Sequence, residues 1–212
     1  MITHVAVNLD ALRHNLRQVL GHLHPSSRLM AVVKANAYGH GLVETARTFV
    51  EGGAAWLGVS TVTEGVALRE AGLAAPTLVF LPPLEEEIEA LVRHDLTGTI
   101  VAVSQVRQIA AVAQALGHLA TCHVYMDGGL SRLGSDDSLP DIVDAARVFP
   151  GLQVTGLYTH FGPPGSGRLL DEVDILREGA SVKAFARLAR EVMAQLGESA
   201  PAIHAAASTL FL

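Results

Sequence analysis

One run of the sequence, Ala31-Val32-Val33-Lys34-Ala35-Asn36-Ala37-Tyr38-Gly39-His40-Gly41, sets a lysine at the end of an apolar stretch and a tyrosine and two glycines beyond it. A lysine that closes a buried strand is partly desolvated, which favours the neutral amine needed to form a Schiff base. Tyr38 and the glycines beside it can approach a phosphate. Three further segments carry unusual polar residues after apolar runs. Tyr125-Met126-Asp127-Gly128-Gly129-Leu130-Ser131-Arg132-Leu133-Gly134 reads as a strand, a glycine turn and a cation. Gly156-Leu157-Tyr158-Thr159-His160-Phe161 ends a strand on a histidine. His204-Ala205-Ala206-Ala207-Ser208 follows a short apolar run and supplies a hydroxyl at Ser208.

The elements that must position these groups alternate regularly. Strands are expected at Leu29–Val33, Ala55–Val59, Thr77–Phe80, Thr99–Val103, Thr121–Met126, Leu152–Tyr158 and Ala202–Ala205. Helices fall between them. Asp10 is the expected cap of the first, with Leu12, Leu16, Val19 and Leu23 on one face. A helix over Leu42–Val50 ends at Gly52-Gly53. Thr61 and Glu64 form a capping box for a helix to Ala71. Pro82-Pro83 open an acidic-headed helix over Leu84–Val92. Ser104 is expected to cap a helix to Leu116, and Leu139–Val148 and about Arg168–Leu196 complete the set. Strand and helix in alternation predict a parallel sheet. Seven such units predict an α/β fold, a (β/α)₈ TIM-type barrel short of its last unit, since complete barrels typically need about 250 residues. A doubly wound open sheet is the alternative architecture. In a barrel, catalytic groups gather after the carboxyl ends of the strands, where all four polar segments stand.

The first motif closely resembles the pyridoxal-phosphate lysine motif of alanine racemases, which are fold-type III pyridoxal-phosphate enzymes. The other three motifs follow in the family's order. The opening run Val7-Asn8-Leu9-Asp10-Ala11-Leu12-Arg13-His14-Asn15 also looks like the family's beginning. The resemblance implies that Lys34 holds pyridoxal 5'-phosphate as a Schiff base and exchanges the α-proton of the D-enantiomer. It implies that Tyr38 and Ser208 bind the cofactor, Ser208 at its phosphate. Arg132 would bond the cofactor's phenolic oxygen and help hold the substrate carboxylate, a role suited to a planar, permanently charged fork of donors. His160 would lie beside the pyridine ring.

The implied activity is interconversion of L- and D-alanine, supplying D-alanine for peptidoglycan. Residues 11–212 would be the N-terminal barrel, truncated. Residues 1–10 would hold an opening strand, about Val5–Leu9, that pairs with a C-terminal β domain outside these residues. That domain would carry the second catalytic base, and the full protein would be a homodimer. The 212-residue piece alone is expected to be inactive and poorly soluble. Two other readings stay open: a non-catalytic cofactor-binding barrel, and a related racemase or decarboxylase for another amino acid.

Departures from the family pattern bear on this. The family commonly places a lysine, often carbamylated, where Tyr125 stands, and an asparagine where Ala207 stands. After His160 the run Gly162-Pro163-Pro164-Gly165-Ser166-Gly167 replaces the usual acidic segment.

Composition agrees with a globular protein. The chain is 50% hydrophobic and 17% charged, enough to bury a large core and to exclude general disorder. A net charge of −6, with its basic residues scattered singly, argues against nucleic-acid binding. One cysteine, Cys122, excludes an internal disulfide framework and fits a reducing cytoplasm. The most apolar window, Ala71–Leu84, is interrupted by three prolines and is too short to span a bilayer. Arg168 and Leu169 stand where a phosphate loop needs lysine and serine or threonine. His22 and His24 have no nearby cysteine or carboxylate, so no metal site is expected.

Overall fold

A computed structural model describes residues 4–127, 132–133, 137–160, 183–192, 194 and 202–205. The chain divides into two compact units after Gly98.

In the first unit, helix α1 (Leu9–His22) precedes three short parallel strands, β1 (Met30–Val32), β2 (Trp56–Val59) and β3 (Thr77–Val79), in the order β1-β2-β3. Leu78 bridges onward to Thr97. Helices α2 (Leu42–Glu51), α3 (Val62–Glu70) and α4 (Ile88–Arg93) connect them. Strands β2 and β3 are buried on both faces, as parallel strands flanked by helices require, with Leu57, Val59, Leu78 and Val79 fully enclosed; in β1 only Ala31 is buried. Arg69, near the end of α3, fastens the far ends of the strands. Its guanidinium donates to the carbonyls of Leu73, Ala75, His94 and Asp95 and to the Thr77 hydroxyl, at 2.8–3.2 Å.

In the second unit, β4 (Gly98–Ile100), β5 (Ala120–Asp127), β6 (Leu152–His160) and β7 (Ala202–Ala205) lie in chain order in one sheet, with β5, β6 and β7 parallel. Helices α5 (Val103–Leu116), α6 (Leu139–Val148) and α7 (residues 183–192) belong to it. Cys122 is fully buried inside β5.

The expected strands and helices are present, with local corrections. Asn8, not Asp10, caps α1: its Oδ1 accepts the Asp10 and Ala11 amides at 2.9 and 3.1 Å. Residues 4–8 carry no secondary structure, and Leu9 already belongs to the helix. Ser104 lies inside α5, which starts one residue earlier. Gln105 reaches back to accept the Val101 and Ala102 amides. The helix after Pro82-Pro83 opens as a 3₁₀ turn, Glu85–Glu87, before turning α-helical at Ile88. The Thr61–Glu64 capping box forms as expected. Of the long helix expected over Arg168–Leu196, residues 183–192 and 194 are described and helical. The Gly162–Gly167 run lies outside the described residues.

Candidate functional site

In the first unit, the candidate group stands at the end of β1. Val33 is fully buried, and its amide bonds to the Gly58 carbonyl at 2.8 Å, carrying the ladder one residue past the strand. Lys34 follows and is half-buried. Among the described residues no carboxylate lies within ion-pair distance of its ammonium.

Beyond Lys34 the backbone does something the sequence does not suggest. Ala35, Asn36, Ala37 and Tyr38 hold φ values of 52, 54, 52 and 53°, so four consecutive residues with side chains form a left-handed helical turn. Such a conformation costs L-residues about 1–2 kcal/mol each and is normally visited singly. Gly39 (φ 88°) and Gly41 (φ 91°) return the chain to α2, and the Asn36 side chain accepts the Leu42 amide at 2.8 Å. The carboxylate of Glu64 accepts the Ala35 amide at 2.6 Å. Tyr38 is 63% exposed at the end of the turn.

In the second unit, a separate row of side chains is built on β5, β6 and β7. Register pairs Tyr125 with Tyr158, Asp127 with His160, and Tyr158 with His204. Because side chains alternate along a strand, His123, Tyr125 and Asp127 share one face with Gly156, Tyr158 and His160. Across that face Tyr125 meets Tyr158 edge-on at 5.1 Å, and Tyr158 stacks on His204 at 4.8 Å with the rings 4° from parallel. The Tyr158 hydroxyl pairs with Thr99 Oγ1 at 2.8 Å. One position further down, His123 faces Gly156. A Cβ at Gly156 would come within 2.5 Å of the His123 ring, so only glycine leaves room for the imidazole to cross β6. It crosses to reach His204, with Nδ1 of His123 2.8 Å from Nε2 of His204.

Burial sets the charge state of this row. It pushes His123 down to about 3, with His204 adding to the effect, and pushes His204 down to about 4. Both rings are neutral at pH 7. Burial also raises both phenols. At Tyr125 the neighbouring Asp127 raises it further, and the exposed Arg132 opposes the rise. Among the described residues the Tyr125 hydroxyl is buried without a partner at full hydrogen-bond geometry; Arg132 is the side chain that acts on it, through its charge and as a weak hydrogen-bond donor. Arg132 acts on Tyr158 in the same sense.

The structure therefore sets Lys34 and Tyr38 on one turn in the first unit. In the second it places Arg132 beside Tyr125 and Tyr158, and His160 at the exposed end of β6 in register with Asp127. Ser208 and Ala207 lie outside the described residues. Sequence reading did not single out His123, Gly156 or Tyr158. The signal for them was the i, i+2 spacing of His123 with Tyr125 and of Tyr158 with His160.

Helices alternating with parallel strands, and polar side chains at the carboxyl ends of strands in each unit, define the class: an α/β protein built from β/α units. The model of the alanine racemase N-terminal domain matches residues 7–212. An alanine racemase of Methanococcus maripaludis is 38% identical over 166 residues, covering 76% of this chain and 44% of that protein. One of Synechocystis sp. is 34% identical over 206 residues, covering 94% of this chain and 55% of that protein. The solved alanine racemase of Clostridium difficile superposes with a TM-score of 0.82 at 26% identity, covering 95% of this chain and 54% of the other. This chain belongs to the alanine racemase family and corresponds to its N-terminal domain. It spans about half the length of the relatives it matches. No helix among the described residues is long and apolar enough to cross a membrane.

Taken unit by unit, these are group types that suit pyridoxal phosphate. The first unit offers Lys34, whose amine has no carboxylate at ion-pair distance among the described residues, and Tyr38, an exposed phenol; the second offers Arg132, an exposed cation.

Proposed function

We propose that this chain is the cofactor-binding domain of a pyridoxal 5'-phosphate-dependent alanine racemase. The observation that carries the reading is Lys34: half-buried, unpaired among the described residues, and set between the end of β1 and the strained turn that follows it. The cofactor, when bound, supplies an electron sink for the amino acid's α-carbon. Lys34 would hold it covalently, and Tyr38 and Ser208 would bind it, Ser208 at its phosphate. Arg132 would orient the substrate carboxylate through its planar fork of donors. His160, at the open end of β6, would flank the cofactor ring. The freed Nζ of Lys34 would take and return the α-proton of D-alanine, and a second base outside these residues would serve the opposite face.

In the full protein we place this domain in a cytoplasmic homodimer that supplies D-alanine to peptidoglycan. Residues 1–10 would pair with a C-terminal domain.

The test follows α-proton exchange of D-alanine in D₂O by NMR, with the full-length protein and added pyridoxal phosphate. Exchange is expected with the native full-length protein, and Lys34→Ala should slow it by roughly 10²–10⁴-fold, the usual cost of losing a general base. Equal exchange in both proteins would overturn the assignment.

A further inference from the structure

The left-handed turn after Lys34 needs something to hold it. Four residues with side chains lie in a region that L-residues avoid, and Ala35, Asn36 and Ala37 include no glycine. Most bonds that stabilise the turn come from within it or from its flanks: Ala37 to Val33, Gly39 to Ala35 and Asn36, and Gly41 to Asn36. Glu64 reaches in from elsewhere, 29 residues along the chain, and its Oε1 accepts the Ala35 amide at 2.6 Å. That amide belongs to the peptide group shared with Lys34, so fixing it fixes the backbone torsion that aims Lys34. The other oxygen, Oε2, accepts the amides of Ser60 at 2.8 Å and Thr61 at 3.3 Å, at the end of β2. One carboxylate thus clamps the ends of β1 and β2 together at the residue that follows the lysine.

We propose that Glu64 is a positioning residue: its carboxylate holds the left-handed turn that places the Lys34 amine. Capping α3 is its second task, served by Oε2 and by the Glu64 amide on the Thr61 hydroxyl at 3.3 Å. The importance of that placement for catalysis rests on the function proposed for Lys34. The placement itself does not.

The two tasks separate by mutation in the full chain. Glu64→Gln leaves a single acceptor oxygen, which cannot serve both sides. Thr61→Ala removes the cap bond and spares the contact with Ala35. Ala35→Gly relieves the left-handed strain without touching Glu64. The readout is labelling of Lys34, scored by peptide mass mapping against Lys183, the only other lysine. Labelling uses an amine-acylating reagent in one arm and pyridoxal phosphate with borohydride in the other.

Glu64→Gln is expected to change the Lys34-to-Lys183 acylation ratio and to lower pyridoxal-phosphate labelling of Lys34 roughly tenfold, the scale expected of a misplaced reactive group. Thr61→Ala should leave both unchanged while lowering Tm. Adding Ala35→Gly to Glu64→Gln should restore much of the labelling. If Glu64→Gln does not fold, Glu64→Asp, too short to span both sides, takes its place with the same expectation. The proposal is overturned if Thr61→Ala reproduces the Glu64→Gln labelling, or if glycine at position 35 restores nothing. Failure of the functional reading looks different: the native chain then shows no selective pyridoxal-phosphate label, while the acylation arm still reports the effect of Glu64.

Discussion

Nδ1 of His123 lies 2.8 Å from Nε2 of His204, although the two rings stand on strands that are not neighbours. The contact passes over β6 at Gly156, and Tyr158 stacks on His204 from the adjoining row. Two imidazoles in hydrogen-bond contact need one donor and one acceptor, so the pair works only when both rings are neutral or share a single proton. Burial keeps them neutral, with His123 at about 3 and His204 at about 4.

A stability profile follows. Both histidines titrate lower in the folded chain than the 6.5 of an unfolded histidine. Below that value the unfolded chain binds protons that the folded chain does not. Stability from this pair is therefore full above about pH 6.5 and is lost as pH falls towards 4, with a slope of up to about 1.4 kcal/mol per pH unit for each ring. Urea midpoints between pH 7.5 and 5 should fall accordingly, and His123→Asn should flatten the slope. A native chain with a pH-independent midpoint across that range would contradict the neutral pair.

Gly156 is the position that makes the crossing possible. Gly156→Ala puts a methyl 2.5 Å from the His123 ring and forces it off His204. Overpacking of this kind typically costs about 1–3 kcal/mol. Denaturant unfolding should show that loss, and His123→Ala in the same chain should recover part of it. Equal costs in the presence and absence of His123 would place the problem elsewhere.

Among the described residues the Tyr125 hydroxyl is buried without a partner at full hydrogen-bond geometry, Arg132 being only a weak donor to it. An unsatisfied buried hydroxyl is costly, so removing it should cost nothing. Tyr125→Phe is expected to keep the ring packing against Tyr158 and to leave stability unchanged or raise it by up to about 1 kcal/mol. A loss above about 1 kcal/mol would show that the hydroxyl forms a bond worth having, with Arg132 as the nearest candidate. Because a phenol cannot form a carbamate, Arg132 faces a neutral group here.

Much of this fold was legible in the sequence because its strands are short, apolar and separated by patterned helices. Leu139–Val148 and Ala202–Ala205 fall at their expected bounds, and the Thr61–Glu64 box is local chemistry. Local competition explains the misses. Asn8 took the cap from Asp10 because an amide oxygen two residues earlier reaches both free N–H groups. At α5, Gln105 did by side-chain reach what Ser104 was expected to do. Of the candidate site, the strand-end position of Lys34 was legible, because residue type and strand end coincide there; the rest was less so. Nothing in Ala35-Asn36-Ala37 signals a left-handed turn, since its outside support comes from Glu64, far along the chain. The His123–His204 pair spans 81 residues and exists only in a particular strand register.

The central claim is that Lys34 is the cofactor lysine, and trapping tests it most directly. The chain is incubated with pyridoxal phosphate, reduced with borohydride, digested and mapped, with Lys34→Ala as control. With only two lysines, Lys183 serves as an internal measure of unselective labelling. The account predicts one dominant label on Lys34 that disappears in the variant. A label confined to Lys183, or spread equally over both lysines, would contradict it.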